Sequence, residues 1–107
     1  MARHTLGPSR ASLHGQWSSA LEPALVIEPG DVVVFEDTLD VAWGEGQHVP
    51  GAPTRPKFPR ATGDHPDAER DNGPGLQGPV AIRGAVPGQA LQCDLLAIET
   101  HDWGWTW

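Results

Sequence analysis

Cysteine is nearly absent from this 107-residue chain: Cys93 stands alone, so no disulfide forms within it and a reducing compartment such as the cytoplasm is the expectation. No apolar run approaches the ~20 residues a membrane helix needs. The first residues, Met1-Ala2-Arg3-His4-Thr5-Leu6, lack the apolar stretch of a secretory signal. Basic residues are also scarce. Seven Lys and Arg against 14 Asp and Glu leave a net charge of −7, which is not the footprint of a protein that grips phosphate backbones or anionic membranes. Neither nucleic acid nor membrane is an expected partner. Helical periodicity is missing too, since Pro or Gly interrupts every candidate window. Cys-x-x-Cys, the Gly-x-Ser-x-Gly nucleophile turn and phosphate-binding loops do not occur.

Strand-forming sequence around turn residues is abundant. The chain holds 13 glycines and 11 prolines. The stretch Leu25-Val26-Ile27-Glu28-Pro29-Gly30-Asp31-Val32-Val33-Val34-Phe35-Glu36 sets two apolar runs about a Pro-Gly turn. Pro29 supplies the φ of the second turn position and Gly30 the positive φ of the third. The plan repeats later: Val80-Ala81-Ile82 leads to Pro87-Gly88-Gln89, and Leu91, Cys93, Leu95 and Ala97 then alternate. Strands are expected over residues 24–27, 32–36, 80–85 and 90–99, with 41–43 a short further one. Cys93 then reads as a core thiol. The fold class is all-β: antiparallel strands in a sandwich- or barrel-like single domain, 1–107, too short for two cores. Residues 1–12 read as a polar arm. Residues 44–79 hold seven glycines and seven prolines and read as a long irregular excursion over the surface. Trp103, Trp105 and Trp107 alternate, so a strand there shows three indoles on one face and needs a partner to cover them.

Five histidines, His4, His14, His48, His65 and His101, are candidates for chemistry, and none has the spacing of a helical zinc pair. Asp64-His65-Pro66-Asp67 reads either as a hard-metal loop or as a solvated acidic turn. His14-x-x-Trp17 sets an imidazole and an indole ahead of the first strand of the Pro-Gly block. They form either a binding cleft or a core anchor with a histidine at its edge. Asp31, Glu36, Asp37 and Asp40 cluster about the second apolar run. Paired carboxylates there suit proton transfer or metal binding, whereas Asp after Pro-Gly also commonly accepts hydrogen bonds inside its own turn.

His14-x-x-Trp17, Glu28-Pro29-Gly30-Asp31-Val32-Val33-Val34-Phe35-Glu36, Leu39-Asp40-Val41-Ala42-Trp43-Gly44 and Gly78-Pro79-Val80-Ala81-Ile82-Arg83-Gly84-Ala85-Val86-Pro87-Gly88 occur in this order. Together with Gly104-Trp105-Thr106, they resemble the N-terminal part of the acetamidase/formamidase family. The resemblance implies an all-β fold, hydrolysis of short linear amides to ammonia and a carboxylate, a divalent metal (zinc or calcium), and an oligomer. It points to Glu36 and Asp40 as catalytic carboxylates, to His14, Trp17 and Trp43 at the substrate, and to His14 and Asp31 at the metal. Two departures stand out. Gln89 replaces the aspartate of the family's second Pro-Gly-Asp, and the later Asp-x-His and Gly-Asp-Gly-Glu segments have no counterpart. The chain is therefore expected to act with a complementary C-terminal chain or to serve as a non-catalytic β module that binds a small ligand or a partner.

Overall fold

The computed structural model describes residues 1–37 and 58–102. Six short strands and no helix occur among them: β1 Arg3–Leu6, β2 Leu13–His14, β3 Leu25–Ile27, β4 Val32–Phe35, β5 Leu76–Gln77 and β6 Val80–Ile82. They pair as three two-stranded ribbons, β1 with β4, β2 with β5, and β3 with β6. The chain is all-β as expected, without closure into a sandwich or barrel among the described residues. The expected strand at 41–43 and the tryptophans at 103–107 lie outside them.

The expected antiparallel pairing holds only for β2–β5. The β1–β4 ribbon is parallel, with Arg3 opposite Val32 and Leu6 opposite Phe35, and β3–β6 is parallel, with Leu25 opposite Val80. The reason lies in the turn. The Asp31 amide donates to the Glu28 carbonyl at 3.1 Å and Gly30 takes φ 89°, the features of a type II turn. Type II turns splay the strands they join instead of matching their twist. The Pro29-Gly30 turn is therefore a corner between two ribbons: β3 leaves to pair with β6, and β4 with β1. The second Pro-Gly turn has the same build. Gly88 takes φ 93° and the Gln89 amide donates to the Val86 carbonyl at 3.3 Å.

Two other expectations are corrected. Residues 1–12 do not form a loose arm. A central run of β-branched residues at β4 leaves its backbone groups in search of partners, and β1 supplies them. The Val32 amide donates to the Ala2 carbonyl and the Glu36 amide to the Leu6 carbonyl, and Leu6 is buried. Residues 90–99 do not form a strand within the protomer. Their side chains face solvent, so Cys93 is an exposed thiol and not a core residue. Its alternating apolar pattern has no sheet to join among the described residues.

The second half of the Gly/Pro-rich stretch, residues 58–79, is tied back to residues 9–15. Asp71 is fully buried there. Its carboxylate takes a two-pronged grip from Arg10, at 2.7 and 3.0 Å, and a hydrogen bond from the Ala61 amide at 2.7 Å. Arg70 reaches the other way and donates to the Arg10 and Leu13 carbonyls at 2.7 and 2.8 Å. Arg60 donates to the Asp71 and Gly73 carbonyls. Each guanidinium thus pins a backbone that no ladder satisfies. The crossing is tight: a Cβ on Gly73, at φ 142°, would come within 1.9 Å of the Gly15 carbonyl oxygen, so only glycine allows it. Leu13 is fully buried beside this cluster, with Phe58 packed on it.

Arg10→Ala leaves the Asp71 carboxylate buried and without its cation. We expect a loss of about 1–3 kcal/mol of folding stability, since the buried carboxylate keeps the Ala61 amide but loses its half-exposed cation. Urea denaturation of the two proteins measures it; a loss below about 1 kcal/mol would show that Asp71 is hydrated when Arg10 is absent.

Candidate functional site

His14 ends β2, opposite Leu76 of β5. Its side chain is 5% exposed. The ladder and the hydrogen bond from the Gly78 amide to the Ser12 carbonyl, 2.9 Å, hold β2 against residues 76–79. His14, Trp17, Ser18, Leu76, Gln77 and Pro79 line a pocket of about 330 Å³. That volume lies at the small end of the range of ligand sites. Apolar surface dominates the lining, with one titratable group.

Burial pushes the His14 imidazole below its usual 6.5. The Arg70 guanidinium adds to the fall, and the backbone at Ser12 and Gly78 and the Asp71 carboxylate oppose it. The ring is therefore neutral at pH 7, the form of a hydrogen-bond acceptor or general base. Its Nδ1 atom is buried without a hydrogen-bond partner. Trp17 is 91% exposed, so it is not the core anchor. Its indole stands at the rim of the pocket and presents a free apolar face.

The structure therefore brings together two of the residues singled out from the sequence, His14 and Trp17. It sets Asp31 elsewhere. One carboxylate oxygen of Asp31 accepts the Ala2 amide at 2.7 Å; the other accepts the Glu28 amide at 3.0 Å and meets His4 Nε2 at 2.9 Å. These contacts, the Ala2 amide foremost, then His4 and the Glu28 amide, hold the carboxyl down to about 2. Asp31 is thus the lock of its turn and of β1, and its imidazole partner is His4. Asp31 does not line the pocket beside His14, and its carboxylate oxygens are taken up by the Ala2 and Glu28 amides and by His4. Among the described residues no group of three or more His, Cys, Asp or Glu could hold a metal ion. In the second turn Gln89 performs the same local task as Asp31: its side-chain oxygen accepts the Val86 amide at 2.9 Å.

Glu36 is exposed just past β4 and does not line the pocket. Its carbonyl accepts the side-chain amide of Gln77 at 2.8 Å, which ties the end of β4 to the strand beside His14. Asp40 and Trp43 lie outside the described residues. The Asp64-His65-Asp67 loop is solvated, with His65 Nδ1 accepting the Asp67 amide at 3.1 Å. Sequence reasoning missed Leu76, Gln77 and the Arg10–Asp71 pair. The Leu76-Gln77-Gly78-Pro79 run adjoins the Gly-Pro-Val motif and was the available signal for the first two. No family model, curated protein or solved structure matches the chain.

Two pH dependences follow from these shifts. The folded His14 pKa lies below its unfolded value, so its neutral burial contributes stability above pH 6.5 that is lost as pH falls from 6.5 through the folded value. A histidine NMR titration should find one imidazole with a midpoint below 6.5 that disappears in His14→Gln; a midpoint above 6.5 would mean the ring is hydrated. Asp31 contributes stability above about 3.8 that is lost as pH falls toward about 2. Asp31→Asn should unfold more readily than the parent protein at neutral pH, and the two should converge as pH approaches 2. A constant gap across that range would place the stabilisation outside the carboxylate charge.

Proposed function

We propose that the chain acts in the hydrolysis of short linear amides such as formamide and acetamide, and that it contributes the substrate-side wall of the site. The observation that carries this reading is a buried, neutral imidazole, His14, in a small and mainly apolar pocket rimmed by an exposed indole. Such a pocket suits an uncharged molecule with an apolar end and a polar head. In the proposed reaction His14 takes a proton from water as the water oxygen bonds to the amide carbon. The carbon–nitrogen bond then breaks, and the nitrogen leaves as ammonia after receiving a proton. Glu36 and Asp40 are the carboxylates proposed for that second transfer. Trp43 is proposed beside the substrate with Trp17.

Among the described residues the pocket lining holds one titratable group and no carboxylate, and amide hydrolysis also needs an oxyanion donor besides the proton donors proposed above. A divalent ion would need ligands beyond His14, and Asp31 is occupied in its turn. We therefore assign the missing groups to a complementary chain or a second subunit. With it the three ribbons would become strands of a larger sandwich- or barrel-like domain in the cytoplasm. The second reading is a non-catalytic β module that pairs with a partner chain. The exposed apolar side chains of residues 91–98 favour it.

The test is ammonia release from formamide and acetamide together with an NMR titration by acetamide. The chain alone should show no appreciable turnover, while acetamide should move the His14 and Trp17 resonances and leave those of His14→Ala unmoved. Robust turnover by the chain alone, abolished in His14→Ala, would show a complete site. Resonances of the parent protein unmoved by acetamide would remove the amide reading in favour of the β module.

A further inference from the structure

Residues 90–98 are the largest unexplained feature of the surface. Leu91, Leu95, Leu96 and Ile98 are 68–83% exposed, and Cys93 is exposed between them. The segment runs without a turn or bend from Gln89 to His101. Among the described residues no backbone hydrogen bond holds residues 90–100. The turn ahead is closed by Gln89, whose side-chain oxygen accepts the Val86 amide and whose amide donates to the Val86 carbonyl. It has the alternating pattern of a strand in its sequence, and it lacks a neighbour among the described residues. An edge of this kind readily pairs with another chain.

We propose that residues 90–96 pair antiparallel with the same residues of a second copy, about a two-fold axis at Cys93. This inference is independent of the amide-hydrolase reading. A two-fold axis normal to a sheet sets one residue opposite itself and joins each residue on one side to its mirror position on the other. With Cys93 on the axis, Leu91 lies opposite Leu95 of the second copy on one face, and Gln92 lies opposite Asp94 of the second copy on the other. Both pairings are complementary. Within one chain Gln92 Nε2 already donates to Asp94 Oδ1 at 3.0 Å, so the two groups share a face and suit one another.

Neighbouring registers fail. Asp94 on the axis sets two carboxylates face to face, which destabilises a strand pair. Leu95 on the axis sets Asp94 against Leu96 and Leu91 against Glu99. Leu96 on the axis sets Asp94 against Ile98 and Cys93 against Glu99. Both leave carboxylates against apolar groups. A Gln92 axis sets Leu95 against Gln89. The Cys93 register alone matches leucine with leucine and amide with carboxylate.

The register makes a sharp statement about Cys93. Opposed residues in an antiparallel pair have Cα atoms about 4.5–5.5 Å apart, within the about 4.4–6.8 Å that a disulfide spans. The two thiols should therefore be joined by diamide, which accepts the two electrons and two protons they release. The experiment uses the intact chain. Sedimentation should show a dimer, and diamide should convert it to a disulfide-linked dimer on a non-reducing gel. Leu95→Asp projects into solvent in the protomer, so it should keep the circular dichroism of the parent and weaken dimerisation at least about tenfold.

Two further variants fix the register. Cys93→Ser/Leu95→Cys alone should cross-link poorly, and an equal mixture with Cys93→Ser/Leu91→Cys should cross-link readily, through the heterodimers that the mixing forms. A monomer at every concentration tested would overturn the proposal and indicate a different partner chain. Equal cross-linking of Leu95→Cys on its own would overturn the register.

Discussion

The ion pair between half-exposed Arg10 and fully buried Asp71 is the constraint on which the described structure depends. Leu6 and Leu13 are the only buried apolar side chains among the described residues, so the hydrophobic contribution is small. A fully buried carboxylate would be untenable there without compensation. It receives a two-pronged guanidinium and a backbone amide, and these contacts join residues 61 positions apart. Arg70 and Arg60 extend the network to five backbone carbonyls, counting Ala11 at 3.5 Å. The fold is thereby organised by polar groups satisfying irregular backbone, a task that ladders or helices perform in most domains.

That network is what puts the pocket in place. Holding residues 70–73 over Gly15 brings residues 76–79 alongside β2, and the β2–β5 ladder closes as a result. His14 is buried by that closure, and its burial is what keeps the imidazole neutral. A chain of causes thus runs from the Arg10–Asp71 pair to the protonation state of His14. Arg70 belongs to both ends of it, because it pins the carbonyls of Arg10 and Leu13 and also depresses the His14 pKa.

The three ribbons share one property: each has two strands among the described residues, and a lone two-stranded ribbon is marginal in water. The Pro-Gly corners create this condition, because they send consecutive strands to different partners. They also explain why apolar alternation continues into residues 91–98 with nothing to cover it. The strand pattern there is intact, and among the described residues nothing pairs with it.

The sequence by itself determined what depends on near neighbours. The all-β class, both Pro-Gly turns with glycine at positive φ, and the turn role open to Asp31 were legible, because turn chemistry is settled within four residues. His14 and Trp17 were legible as a pair, because three residues separate them. What depends on partners far along the chain was decided only by tertiary structure. Residues 3–6 became a strand because β4 needed one, and β3 left its sequence neighbour for β6. Asp31 chose His4 instead of His14. Asp71 read as one more acid in a solvated loop, yet it is the most buried charge described, because its cation lies 61 residues away. Local dihedral preferences are written in adjacent residues, whereas the choice of strand partner and the burial of a charge follow from which distant groups can reach and satisfy one another.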